Sequence, residues 1–125
     1  MPLLPTPIEL KVPGEVRFLR HVRLVARGVA TTCGLTSEES DDFRLVVDEM
    51  ASALIGSGDR TDDLTLRFDT DGGTLAVEGS TRTDRNRLSM SRQILGLLTR
   101  AHRLVRDGAR LRFRVTTVFV CRPAT

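Results

Sequence analysis

Glu49 is the carboxylate whose position in the sequence best suits chemistry. It lies in the middle of a stripe, Asp42, Leu45, Glu49, Ala53 and Gly56, that follows successive helical turns within TSEESDDFRLVVDEMASALIGS. A carboxylate there offers acid–base chemistry, or is a solvated helix-surface group; the spacing alone leaves both open. His21 and His102 have no serine or cysteine at a telling spacing, so neither suggests a triad. Cys33 and Cys121 lie far apart in sequence and lack a CxxC or Cys/His pattern, which argues against zinc and against a structural disulfide. Two reduced, mostly buried thiols are expected.

The helix that positions Glu49 is well marked. Thr36 and Glu39 are spaced as a capping box, in which a hydroxyl and a carboxylate satisfy the first free backbone amides reciprocally. Phe43, Val46, Val47, Met50, Leu54 and Ile55 then recur at helical spacing and must be buried, and Gly56, Gly58 and Asp59 end the helix. Before it, Ile8, Leu10 and Val12 alternate as a short edge strand. Glu15 to Thr32 forms an amphipathic helix with Val16, Leu19, Val22, Ala26, Val29 and Ala30 inward and Arg17, Arg20, Arg23 and Arg27 around the outside. Those arginines are either a solvated face or a docking face.

After it, Leu64, Leu66 and Phe68, the turn Thr70-Asp71-Gly72-Gly73, and Leu75 and Val77 predict a β-hairpin. Ser80 to Arg87 reads as a loop, with Asp84 and Asn86 as candidate caps. Met90, Ile94, Leu97, Leu98, Ala101, Leu104 and Val105 predict a third helix ending at Asp107-Gly108, and Leu111, Phe113 and Val115 begin a long central strand. The expected fold is a single-domain, two-layer α/β sandwich of about three helices on a mixed, mainly antiparallel sheet. The arginines of the last strand would line its open face.

Composition narrows the function. The chain has 125 residues, 40% hydrophobic, which suits one core. No apolar run spans a bilayer and the N-terminus lacks the order of a secretory signal, so a cytoplasmic protein is expected. The net charge is +3 with a pI near 9.6, and Lys11 is the only lysine. Arginine suits forked contacts with carboxylate or phosphate, and equally follows from a GC-rich genome. With neither Tyr nor Trp there is no stacking platform, and direct nucleic-acid binding is not expected.

The segment DDFRLVVDEMASALIGSG resembles the N-box helix of the histidine-kinase-like (GHKL) ATPases, and most of all that of the bacterial anti-sigma-factor serine kinases. VRFLRHVRLVARGVA, CGLTSEESDD, the DGG hairpin and LLTRAHRLVRDGARLRFRV match the family in pattern and order. The resemblance implies that Glu49 is the family's base and that the magnesium-ligating asparagine falls at position 53. Here that residue is Ala53, whose methyl group cannot ligate a cation that wants oxygen, and Ser52 is displaced around the helix. The family's adenine-binding aspartate falls near Gly79, and no glycine follows until Gly96 to build a phosphate lid. The resemblance therefore implies a regulator without a cofactor, with Glu49 as a vestigial base and Ser52 and Ala53 at a disused cofactor position. Its alternative is an active kinase using Mg-ATP to phosphorylate a STAS-type protein. The implied partners are a sigma factor and a STAS-type anti-anti-sigma protein, with Arg17, Arg20, Arg23 and Arg27 as docking residues. A homodimer, and redox control at Cys33 or Cys121, complete what the resemblance suggests.

Overall fold

The computed structural model describes residues 4–56, 62–84, 88 and 90–122. Strand β1 spans Ile8–Val12, helix α1 Leu19–Thr32, helix α2 Ser37–Ile55, strand β2 Leu64–Asp71, strand β3 Thr74–Arg82, helix α3 Arg92–Leu98, strand β4 Thr99–Asp107 and strand β5 Arg110–Val120. The five strands form one sheet in the order β1-β2-β3-β5-β4, antiparallel at every pairing. The helices cover one face, so the expected two-layer α/β sandwich is what the chain forms.

The capping box of α2 is complete. Thr36 Oγ1 accepts from the Glu39 amide at 3.1 Å, and Glu39 Oε1 accepts from the Thr36 amide at 2.9 Å. At the other end Gly56 adopts φ 76°, a left-handed value that glycine reaches without Cβ strain. Between these caps Phe43, Val46, Val47, Met50, Leu54 and Ile55 are buried, as their spacing requires. Phe43 makes edge-on contacts with Phe68 of β2 and Phe119 of β5, at ring separations of 6.1 and 6.3 Å, and so ties the helix to both strands. Gly72 and Gly73, at φ 59° and 86°, make the β2–β3 turn.

Glu39 has a second role. Arg122, just past β5, grips its carboxylate through two hydrogen bonds of 2.8 and 3.3 Å. That bond first, then the Thr36 amide, lowers the Glu39 pKa to about 2. Because the folded value lies below the unfolded one, the stabilisation is fully present above the ordinary carboxylate range and is lost as pH falls toward 2. The thermal midpoints of wild type and Glu39→Gln will therefore differ at neutral pH and converge in acid; a gap that stays constant to pH about 2 would contradict this linkage.

Several expectations from the sequence change. The first helix opens with a 3-10 turn at Val16–Phe18, and Val16 is 67% exposed, so it lies outside the buried stripe. More consequentially, the helix expected from Met90 to Val105 stops at Leu98, and the chain turns directly into β4. Residues 99–106 show no strict apolar–polar alternation, and all but Thr99 are exposed, so no local period marks this strand. Asp107-Gly108 is then a hairpin turn, with Gly108 at φ 62°, and pairing with β5 satisfies the backbone that a longer helix would have satisfied internally. The cap of α3 is Ser91, whose hydroxyl accepts from the Ile94 amide. Asp84 is exposed in the preceding loop, Asn86 lies outside the described residues, and β3 extends to Arg82 into the segment expected to be loop.

Candidate functional site

Glu49 sits half-buried on the second stripe of α2, facing the start of α3. Its Oε2 accepts a hydrogen bond from the Ser91 amide at 3.2 Å, one residue before the α3 helix begins. The carboxylate thus holds a helix N-terminus, where free amides and the helix dipole favour negative charge. One turn along, Ala53 is half-buried and offers a methyl group, while Ser52 is exposed on a different side of the helix. The structure therefore brings Glu49 and Ala53 to one face and leaves Ser52 off it.

Beneath α2, Gly79 of β3 faces the core. A Cβ there would fall 2.4 Å from Leu54 Cδ1, 3.1 Å from Met50 Sδ and 3.2 Å from Leu66 Cδ2. Any side chain at position 79 would therefore have to displace the buried ends of Leu54, Met50 and Leu66. A Mg-ATP site needs oxygen at position 53, a polar anchor near position 79 and free backbone amides for phosphate. At the first two places the chain has the methyl group of Ala53 and the closely packed Gly79. Among the described residues no group of three or more His, Cys, Asp and Glu side chains could hold a metal ion.

Glu49→Ala would leave the Ser91 amide without its charged acceptor, at a cost of about 1–3 kcal/mol. Glu49→Gln keeps an acceptor at the same place. Hydrogen exchange is expected to accelerate across α3 in the alanine variant and to change little in the glutamine variant. Equal protection of α3 in both variants would remove this role for Glu49.

The arginines of α1 divide. Arg20, Arg23 and Arg27 come together with Arg44 of α2 around Leu24, lining an open groove of about 450 Å³. Leu24 is 67% exposed in it, an apolar centre within a cationic rim. Arg23 also bonds Asp48 of α2 through Nε at 2.8 Å. Arg17 stands apart: it lies in the 3-10 turn, pairs with Glu15 at 3.4 Å and stacks over Phe18. Sequence periodicity placed four arginines on one helix but could not show that Arg44, from the next helix, completes the cluster.

Cys33, at the end of α1, and Cys121, after β5, are both free thiols and are neighbours in space. Burial, with a hydrogen bond to Cys121, pushes the Cys33 thiol up to about 12, so it stays protonated at neutral pH. The backbone runs alongside, with the Arg122 amide donating to the Cys33 carbonyl at 2.8 Å.

No family model matches the chain. The serine-protein kinase RsbW of Bacillus subtilis strain 168 is 28% identical over 98 residues, covering 76% of this chain and 61% of that protein. RsbW of Bacillus velezensis is 26% identical over the same shares. A crystal structure of the RsbU and RsbW domains of a Mycobacterium tuberculosis protein superposes with a TM-score of 0.73 at 16% identity, over 95% of this chain and 34% of that one. The chain is RsbW-like in sequence and in fold. It spans about three fifths of the length of the curated relatives, as the 61% coverage gives. No described helix is long and apolar enough to cross a membrane.

Proposed function

We propose that the chain is an anti-sigma-factor-like regulator of transcription that works by partner exchange, with nucleotide binding and kinase activity lost. The observation that carries this reading is the pair Glu49 and Ala53: the carboxylate is engaged with the Ser91 amide, and one turn on, a methyl group stands where a magnesium ligand is needed. Its partners are a sigma factor, a STAS-type anti-anti-sigma protein, or both in competition. Arg20, Arg23 and Arg27, with Arg44 and Leu24, form the docking face, since arginine forks suit acidic partner residues and Leu24 supplies an apolar anchor. Bound there, the helix layer would cover the surface that a sigma factor presents to RNA polymerase, a role exercised in the cytoplasm. A homodimer would bury one edge of the sheet.

The rival reading takes the relatives' activity, serine-protein kinase, as this chain's own. One experiment separates the two. Purified protein is mixed with the sigma factors and STAS-type proteins of its own genome, with and without Mg-ATP, and both complex formation and phosphoserine are measured. The proposal expects a complex whose affinity is indifferent to Mg-ATP and no phosphoserine. Phosphorylation of a STAS-type protein that disappears in Glu49→Gln would establish the kinase instead.

A further inference from the structure

On the open face of the sheet, opposite the helices, registered residues form a row across all five strands: Glu9, Arg67, Glu78, Arg114 and Arg103. Charge alternates along the row until the last step, where Arg114 of β5 lies directly opposite Arg103 of β4. Like charges so placed repel. Arg114 is partly neutralised by Asp69, which takes its two guanidinium nitrogens at 2.9 and 3.2 Å, and Arg112 by Asp107 at 2.6 Å. Arg103 has no acidic partner among the described residues. These three arginines and Val105 surround an open cavity of about 250 Å³ in which Glu78 is the one acid.

The strand that carries Arg103 is itself unusual. β4 is the terminal strand of the sheet, paired on one side with β5, and eight of its nine residues are exposed. Leu104 and Val105, 39% and 37% exposed, lie on opposite faces of it. Its other side is a template for one more strand. Its charges are Arg100, Arg103 and Arg106 against Asp107 alone, so the added strand that complements it is acidic.

We propose that β4 accepts an extended acidic segment of a partner protein, which pairs with the strand edge and seats its carboxylates among Arg103, Arg112 and Arg114. A paired strand projects every second side chain to the same face, so acids at alternate positions reach the arginine cluster while intervening apolar residues meet the Leu104 side. Arginine forks bind carboxylates through two parallel hydrogen bonds, which fixes the register as well as the affinity. This surface lies on the other layer from the α1 groove and does not depend on the function proposed above.

The test uses the full chain, isotopically labelled, and two blocked peptides of about seven residues, an ordinary strand length. One alternates valine with glutamate, the other valine with glutamine. The glutamate peptide is expected to shift amide resonances of β4 and β5 and leave those of α1 unmoved, with the glutamine peptide binding at least roughly tenfold more weakly. Arg103→Glu is expected to abolish the shifts, and Arg103→Gln to weaken them, with the rest of the spectrum retained because Arg103 is exposed. Equal affinity for both peptides, shifts centred on α1, or β4 shifts that track protein concentration without peptide, as self-pairing would give, each overturn the proposal. So does the absence of any shift, which would mean that the arginines only blunt the edge against aggregation.

Discussion

Gly79→Asp is expected to bring the protein to the edge of unfolding. The new Cβ would lie 2.4 Å from Leu54 Cδ1, with Met50 Sδ and Leu66 Cδ2 within 3.2 Å, so a side chain can enter only by pushing the ends of these buried side chains aside. Overpacking of that kind costs about 1–3 kcal/mol. The carboxyl adds the cost of burying a polar group with no partner, roughly 2–7 kcal/mol. Their sum rivals the total stability of about 5–15 kcal/mol typical of a domain. Gly79→Ala carries the first cost alone. Urea unfolding followed by circular dichroism should rank wild type, alanine variant and aspartate variant in that order, with the last largely unfolded before denaturant is added. An aspartate variant as stable as wild type would mean that Leu54 and Met50 shift readily, and that position 79 can take a polar group.

The second large effect concerns binding. Reversing charge at Arg20 and Arg27 together is expected to weaken capture of an acidic partner by roughly a hundredfold at low salt, mostly through slower association. Both residues are exposed, and neither has an acidic partner among the described residues, so the unfolding midpoint should hold. Arg23 is left in place because removing it would also strip Asp48 of its 2.8 Å partner and mix a stability effect into the result. The loss should fade as salt rises and screens the interaction. A partner that binds the double variant as tightly as wild type docks elsewhere.

How far the sequence carried depended on the kind of signal. Thr36, Glu39 and the apolar stripe of α2 were legible because a capping box and a 3.6-residue period are local and agree with each other. The Asp71-Gly72-Gly73 turn was legible for the same reason, and the placement of Arg112 and Arg114 on the open sheet face followed from alternation with Leu111, Phe113 and Val115. Residues 90–107 carried only the helical period. Local pattern favoured a helix through Val105, and the outcome was decided by a non-local fact, that β5 pairs with β4 along that edge. The contacts that define the candidate site are non-local too. Glu49 with Ser91, Arg122 with Glu39, Arg44 joining the α1 arginines, and Cys33 beside Cys121 each join distant parts of the chain. The sequence pointed to Asp84 and Asn86 as caps of that helix, and the cap is Ser91. Nothing in the sequence paired it with Glu49.

We propose that the nucleotide site implied by the resemblance is lost in this chain, with a methyl group at position 53 and Gly79 packed under Leu54. Calorimetric titration of the wild-type protein and of Ala53→Asn with Mg-ATP and Mg-ADP tests it directly. The account predicts no saturable binding at millimolar nucleotide in either protein, since restoring one oxygen ligand at position 53 leaves Gly79 packed under Leu54. Saturable binding of Mg-ATP to the wild type, lost in Glu49→Ala while the fold persists, would contradict it.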